Sequence, residues 1–159
     1  MCSCKCSPRQ PLRTGGDFVK VVDFGLAKIK EANAGPGITM PGIVCGTPDY
    51  MAPEQGRGDP LDGRIDLYAC GVILYQLLTG RLPYEAESPT RVVLMHMTMP
   101  LPNPAHIAPE RNIPPALIEV TRKALEKEAS NRYQTAAEFA DGLRRALSVI
   151  RGDAAIPSP

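Results

Sequence analysis

Gly46-Thr47-Pro48-Asp49-Tyr50-Met51-Ala52-Pro53-Glu54 follows Asp23-Phe24-Gly25 along the chain, and these two stretches together predict the fold. Either tripeptide, Asp23-Phe24-Gly25 or Ala52-Pro53-Glu54, would occur by chance in many sequences if it stood alone. In this order and at this spacing they bracket one loop, and that combination is much less frequent by chance than either tripeptide alone. The loop includes residues 30–43, which are rich in glycine, proline and small side chains. A loop of that length is more often functional than not.

The segments around this loop predict one short strand and a set of helices. Phe18-Val19-Lys20-Val21-Val22 is short and β-branched, which predicts a strand that ends at Asp23. Residues 64–79 are apolar on nearly every face and stop at Gly80, a pattern typical of a helix surrounded by other helices. Ser88 and Pro89 offer an N-cap and a first-turn proline for a helix that reaches about Met97.

Two more helices are predicted near the C-terminus. One begins at Pro115 and carries its buried face on Leu117, Val120, Thr121 and Ala124. The other begins with a capping box formed by Thr135 and Glu138, in which each side chain satisfies a free backbone amide. Its apolar residues recur at helical spacing: Ala136, Phe139, Ala140, Leu143, Leu147 and Ile150. We therefore expect a helical bundle around one central helix, followed by a disordered tail.

The composition is that of a soluble globular protein and argues against two classes of partner. The chain has 159 residues, 43% of them hydrophobic, with 18 basic and 17 acidic side chains. This balance gives no electrostatic reason to bind nucleic acid or an anionic membrane. The longest apolar run, near Leu67 to Leu78, is shorter than the roughly 20 residues that a membrane span needs. Five cysteines without a secretory signal indicate reduced thiols and a cytoplasmic protein.

Together with three further stretches, the two motifs resemble the protein kinase family, particularly bacterial serine/threonine kinases. The stretch Asp66–Val72 is similar to the family's central helix, Leu78–Tyr84 to the segment that leaves it, and Ala129–Ala136 to the turn before its last helix. The resemblance runs from about Asp17 to Leu147. It implies a mainly α fold, the C-terminal helical lobe of a kinase, with a short strand at the N-terminal side. The expected limits are an irregular leader at 1–16, a partial kinase domain at 17–150 and a disordered tail at 151–159.

The resemblance also implies roles for residues of the loop. Asp23 would hold Mg²⁺ against the phosphates of ATP, since a carboxylate is a hard ligand for a hard cation; the alternative is an ordinary turn aspartate. Phe24 and Gly25 would set the orientation of that turn at the start of the activation segment. Thr47 would complete the site for the substrate hydroxyl. Thr39 is the one hydroxyl residue between Gly25 and Thr47, which makes it the candidate for phosphorylation.

The resemblance also implies structural roles for Glu54, Arg132 and Asp66. Glu54, which follows Ala52 and Pro53 at the end of the activation segment, would pair with Arg132 in a buried bidentate contact. The alternative is a solvated glutamate. Asp66 would accept hydrogen bonds from the backbone of the family's catalytic loop. Its alternative is to stabilise the N-terminus of its helix.

The family's catalytic loop has no counterpart in this sequence. Its expected position falls on residues 1–10, where no residue matches in type, so no catalytic base and no second metal ligand are found. We expect the chain to be inactive alone and to need a missing N-lobe or another kinase chain, and we expect a truncated or frameshifted gene. A central helix with a missing neighbour also predicts a marginally stable or aggregating chain.

Other functions stay open on the residues alone. One alternative is a non-catalytic, pseudokinase-like module that binds proteins, and a more remote one is an unrelated helical scaffold. A metal site at Cys2, Cys4 and Cys6 is a weak alternative, because structural zinc sites favour pairs spaced C-x₂₋₄-C. His96 and His106 are remote from that cluster, and we expect both at the surface or in an interface.

Overall fold

The computed structural model describes residues 47–152, and all but Thr47 belong to the second of two units of the chain, Pro48–Pro159. The predicted strand, Asp23, Phe24, Gly25 and Thr39 lie outside the described residues. The helices are α1 (Pro53–Arg57), α2 (Arg64–Thr79), α3 (Pro89–Thr98), α4 (Pro104–Ile107), α5 (Pro115–Ala124) and α6 (Ala136–Arg151). Three short 3₁₀ turns accompany them at Pro48–Tyr50, Pro109–Arg111 and Ala129–Asn131. Within this range there is no strand, and the expected mainly α fold is confirmed.

Helix α2 is the centre of the bundle and has the predicted bounds. Before it, the Asp62 carboxylate accepts a hydrogen bond from the Arg64 amide at 2.9 Å. Gly80 ends the helix in the left-handed conformation with φ 77°, which glycine adopts without strain. Two apolar clusters lie against α2. One joins it to α5 and α6 through Leu67, Val120, Ala124, Tyr133, Phe139 and Ala146, and the other contains Ala52, Tyr68, Val72, Tyr75 and Leu125.

One stripe of α2 is nevertheless exposed in the described part of the chain. Asp66, Cys70, Ile73 and Leu77 recur at helical spacing on it, and Leu77 is 71% exposed. We call these four residues the α2 stripe. The apolar pattern predicted a helix surrounded on all sides, and along this stripe the described residues leave it uncovered.

Helices α3 and α5 begin where the sequence predicts, at Pro89 and Pro115. The Ser88 side chain makes no capping hydrogen bond, so the proline rather than the serine marks this start. In α5 the buried residues are Val120, Thr121 and Ala124, whereas Leu117, the fourth residue of the predicted face, is partly buried against the same cluster. Helix α4 was not predicted, because its four residues are too short for a periodic pattern.

Helix α6 begins as predicted but buries a narrower face. The Thr135 hydroxyl accepts from the Glu138 amide at 3.1 Å, whereas the Glu138 carboxylate accepts from the Gln134 amide at 2.9 Å instead of the expected Thr135 amide. Its buried residues are Phe139, Gly142 and Ala146. Leu147 and Ile150 are more than 40% exposed, and Ala136 in the first turn is exposed as well, so the predicted apolar face is wrong at both ends of the helix.

Candidate functional site

The Arg132 guanidinium and the Glu54 carboxylate form a buried bidentate pair. The Arg132 Nη1 lies 2.7 Å from one carboxylate oxygen and the Nη2 lies 2.6 Å from the other. The Arg132 side chain is fully buried and that of Glu54 is 10% exposed. Glu54 is in the first turn of α1, while Arg132 follows the 3₁₀ turn before α6. The pair therefore joins two distant parts of the sequence.

The other donors of Arg132 are also used. Its Nε donates to the Glu126 carbonyl at 2.8 Å and its Nη2 donates to the Lys127 carbonyl at 3.0 Å. The guanidinium carbon lies 4.8 Å from the centre of the Tyr68 ring, a distance suited to a cation–π contact. A buried charge is tolerated when it is paired and hydrogen-bonded in this way.

The pKa of Glu54 is held below its usual value despite burial. Burial alone would raise it, but hydrogen bonds from Arg132 and from the backbone and the nearby positive charges outweigh that effect. Glu54 is therefore ionised at neutral pH. We call Glu54, Arg132 and the three carbonyl groups around the guanidinium the Arg132 anchor; the third is the Arg64 carbonyl at 3.4 Å.

A second buried link starts at His96 of α3. The His96 Nε2 lies 3.0 Å from the Asp49 carbonyl oxygen, and the Nδ1 lies 2.9 Å from the Tyr68 hydroxyl. His96 is completely buried, so the expectation of a surface or interface residue is wrong. Helical spacing offered a signal, because His96 lies on the same face of α3 as the buried Val92 and Val93.

Lys127, which follows α5, is also part of this network. Its Nζ donates to the His96 carbonyl at 2.7 Å and to the Tyr84 hydroxyl at 2.8 Å, and it lies 4.6 Å from the centre of the Tyr84 ring. Burial, together with the Arg132 charge, lowers the pKa of Lys127 to about 8. Burial and the Lys127 charge lower the pKa of His96 to about 4, against the opposing effect of its bond to Asp49. No pattern in the sequence indicates this role for Lys127.

The remaining predicted residues take different places. Ala52 is buried at the N-cap of α1, with its amide donating to the Gln55 side chain at 2.9 Å, and Pro53 is buried at the first helical position. Thr47 is exposed and directly precedes the 3₁₀ turn Pro48–Tyr50. Asp66 is exposed in the first turn of α2 and shares no hydrogen bond or ion pair with Glu54 or Arg132.

Chemically, these contacts can hold a backbone segment in place. Glu54 and Arg132 neutralise each other, and both nitrogens of His96 are occupied. Among residues 47–152 there is no cluster of three or more side chains suited to a metal ion. In the same range no helix is long and apolar enough to cross a bilayer.

Comparison with known proteins gives matches along most of the chain. Residues 12–141 match the family described as the protein kinase domain. The chain is 48% identical over 131 residues to serine/threonine-protein kinase pkn3 of Myxococcus xanthus, covering 82% of this chain and 24% of the relative. It is 39% identical over 141 residues to PknD of Mycobacterium tuberculosis, covering 89% and 21%, and 42% identical over 139 residues to PknB of Mycolicibacterium smegmatis, covering 87% and 22%. The chain thus spans about a quarter or less of the length of these relatives.

Proposed function

The chain belongs to the protein kinase family, and on that premise we propose that it is the helical, substrate-side part of a serine/threonine kinase domain. The reaction is ATP-dependent phosphoryl transfer to serine or threonine hydroxyls of a protein substrate. The observation that supports this best is the Arg132 anchor, which ties Ala52-Pro53-Glu54 to the helical body at 2.6–2.7 Å. The names of the relatives, all serine/threonine-protein kinases, support the same reaction class.

Phosphoryl transfer depends mainly on positioning and on charge stabilisation. In this proposal Thr47 lies beside the substrate hydroxyl, and the Arg132 anchor fixes the segment that follows it. Thr39 is the phosphorylation site of the loop. ATP and Mg²⁺ supply the phosphoryl group and the charge that neutralises it. Asp23, which lies outside the described residues, is the proposed Mg²⁺ ligand, because its carboxylate is a hard ligand for a hard cation.

We also propose that the chain alone does not turn over ATP and acts in the cytoplasm together with a kinase N-lobe. No residue in 1–10 matches the family's catalytic loop, so the base that accepts the hydroxyl proton is not found in this sequence. A protein segment that carries the phosphate-binding loop and the base is therefore the partner that the reaction requires.

A chimera tests this proposal. Residues 17–150 would replace the matching segment of the M. xanthus relative pkn3, and phosphate transfer from labelled ATP to a generic protein substrate would be measured. We expect activity in the chimera, loss of activity with Asp23→Ala, and no turnover by the present chain alone. A folded but inactive chimera would contradict the proposed function, and turnover that survives Asp23→Ala would refute the metal role of that residue.

A non-catalytic module that binds proteins is the second candidate. It is favoured by the observation that all the contacts of the Arg132 anchor and the His96 link are made between protein groups of residues 49–132. Calorimetric titration of the chain alone with protein substrates of the chimera distinguishes the two. Tight binding by a chain whose chimera is inactive would favour this candidate.

A further inference from the structure

We propose that His96 is a positioning residue that fixes the Asp49 carbonyl, and with it the turn next to Thr47, by holding one ring tautomer. The functional meaning of that turn rests on the proposed function, whereas the geometry does not. The turn Pro48–Tyr50 follows directly on Thr47, and its Asp49 carbonyl accepts a hydrogen bond from a completely buried side chain.

The partners of the ring define its tautomer. The Asp49 carbonyl oxygen can only accept a hydrogen bond, so the His96 Nε2, 3.0 Å away, must carry the proton. In a neutral imidazole the Nδ1 is then an acceptor, and the Tyr68 hydroxyl, 2.9 Å away, must donate to it. Burial raises the pKa of Tyr68, which keeps its hydroxyl protonated as this arrangement requires.

The surroundings keep the ring neutral. The groups that contact His96 are Tyr68 from α2, Tyr84 before α3 with its ring centre 4.9 Å away, Lys127 after α5, and the Asp49 carbonyl. Lys127 is the one ionised group among them, and its positive charge opposes a second positive charge on the imidazole. The ring therefore keeps one donor and one acceptor at neutral pH.

Tyr68 connects this link to the Arg132 anchor. Its hydroxyl bonds to His96, while its ring lies 4.8 Å from the Arg132 guanidinium. One α2 side chain thus supports both points at which the segment 49–54 is held, at the Asp49 carbonyl and at the Glu54 carboxylate. Rotation of the His96 ring would release the first point and remove the hydrogen bond of the Tyr68 hydroxyl.

The test uses the full chain, which contains two histidines. Long-range ¹H–¹⁵N correlation spectra of the imidazoles report tautomer and charge, and exposed His106 provides the internal reference, assigned with His106→Ala. We expect the His96 signals of a fixed Nε2–H tautomer that stays neutral down to about pH 5. Lys127→Met should raise the pH at which His96 titrates, since the opposing charge is removed. A Nδ1–H tautomer, or a mixture like that of a freely exchanging ring, would overturn the proposal.

Two variants separate positioning from general packing. His96→Gln can place an amide N–H near the position of Nε2, whereas His96→Asn is too short to reach Asp49. Amide hydrogen exchange of residues 49–52 should rise about tenfold in His96→Asn, as expected for one lost hydrogen bond, and remain near the wild-type rate in His96→Gln. Equal exchange rates in both variants would contradict positioning. An inactive chimera combined with the expected spectra would reject the proposed function and leave the role of His96 in the fold intact.

Discussion

Among single side chains, the same kind of charge pair occurs in two settings with different consequences. Glu54 and Arg132 lie in the interior, with hydrogen bonds to every charged atom. Glu119 and Arg122 form a pair on the surface of α5 at 3.7 Å, with both side chains more than 60% exposed. Water already solvates the surface pair, whereas the buried pair has only its protein partners.

The substitution Glu54→Gln should therefore be costly and Glu119→Gln should not. Loss of the Glu54 charge leaves the buried Arg132 guanidinium uncompensated, which costs about 3–5 kcal/mol of the free energy of unfolding. The same change at Glu119 should cost less than about 1 kcal/mol. Urea denaturation followed by circular dichroism measures both. Equal losses in the two variants would show that the buried pair contributes no more than the exposed one.

Tyrosine hydroxyls offer a second comparison within α2. The Tyr75 hydroxyl is buried and has no hydrogen-bond partner among the described residues, whereas the Tyr68 hydroxyl bonds to His96. Tyr75→Phe should leave the free energy of unfolding unchanged or raise it, because an unsatisfied polar atom is removed. Tyr68→Phe should lower it by about 1–3 kcal/mol, since the His96 Nδ1 loses its donor. A clear loss of stability in Tyr75→Phe would mean that its hydroxyl has a partner in solution.

Helix ends show which signals in the sequence translate into contacts. The Thr135 hydroxyl caps α6 at 3.1 Å, but the Ser88 hydroxyl makes no such bond at α3. Thr135→Ala should cost about 1 kcal/mol, and Ser88→Ala no more than a few tenths. Thermal unfolding of the two variants measures the difference. A larger loss for Ser88→Ala would show that α3 is capped in solution by its serine after all.

The sequence was most informative where a local rule applies. The bounds of α2 follow from its apolar run and from Gly80, and the starts of α3, α5 and α6 follow from prolines and from Thr135. Helical spacing places His96 on the buried face of α3, but its hydrogen-bond partners Asp49 and Tyr68 could not be predicted, because they are distant in sequence. The exposed end of α6 was not predicted for a similar reason. Helical spacing predicts an apolar face, but it does not predict how much of that face packs against another element. Asp23 and Thr39 stay predictions.

For the molecule as a whole, His96 should make stability depend on pH. Its pKa is lowered to about 4 in the folded chain, below the ordinary value of about 6.5. Between these values the unfolded chain binds a proton that the folded chain does not, so the free energy of unfolding falls as the pH falls. The slope from this group is about 1.4 kcal/mol per pH unit. Urea denaturation from pH 7 to pH 4.5 should show it in the wild type and in His106→Gln, but not in His96→Gln. A slope that survives His96→Gln would assign it to other groups.

The α2 stripe governs how the chain behaves in solution. Ile73 and Leu77 are 41% and 71% exposed on it, and exposed apolar residues favour association. We expect the chain to be marginally stable and to aggregate, and Ile73→Gln with Leu77→Gln to reduce light scattering without lowering the melting temperature. Val72→Gln, at a fully buried position of the same helix, is the control that should unfold the chain. A monomer that melts cooperatively above about 50 °C would contradict the expected marginal stability.

The position of Cys70 allows the accessibility of the α2 stripe to be measured over time. Its thiol is exposed on α2 between Asp66 and Ile73, and partial burial together with the Asp66 charge raises its pKa, so alkylation should be slow enough to time. With the other four cysteines replaced by serine, the alkylation rate of Cys70 reports whether this helix face is covered. Any protein segment that docks there should slow the alkylation of Cys70, and the dependence of the rate on the concentration of that segment would give its affinity.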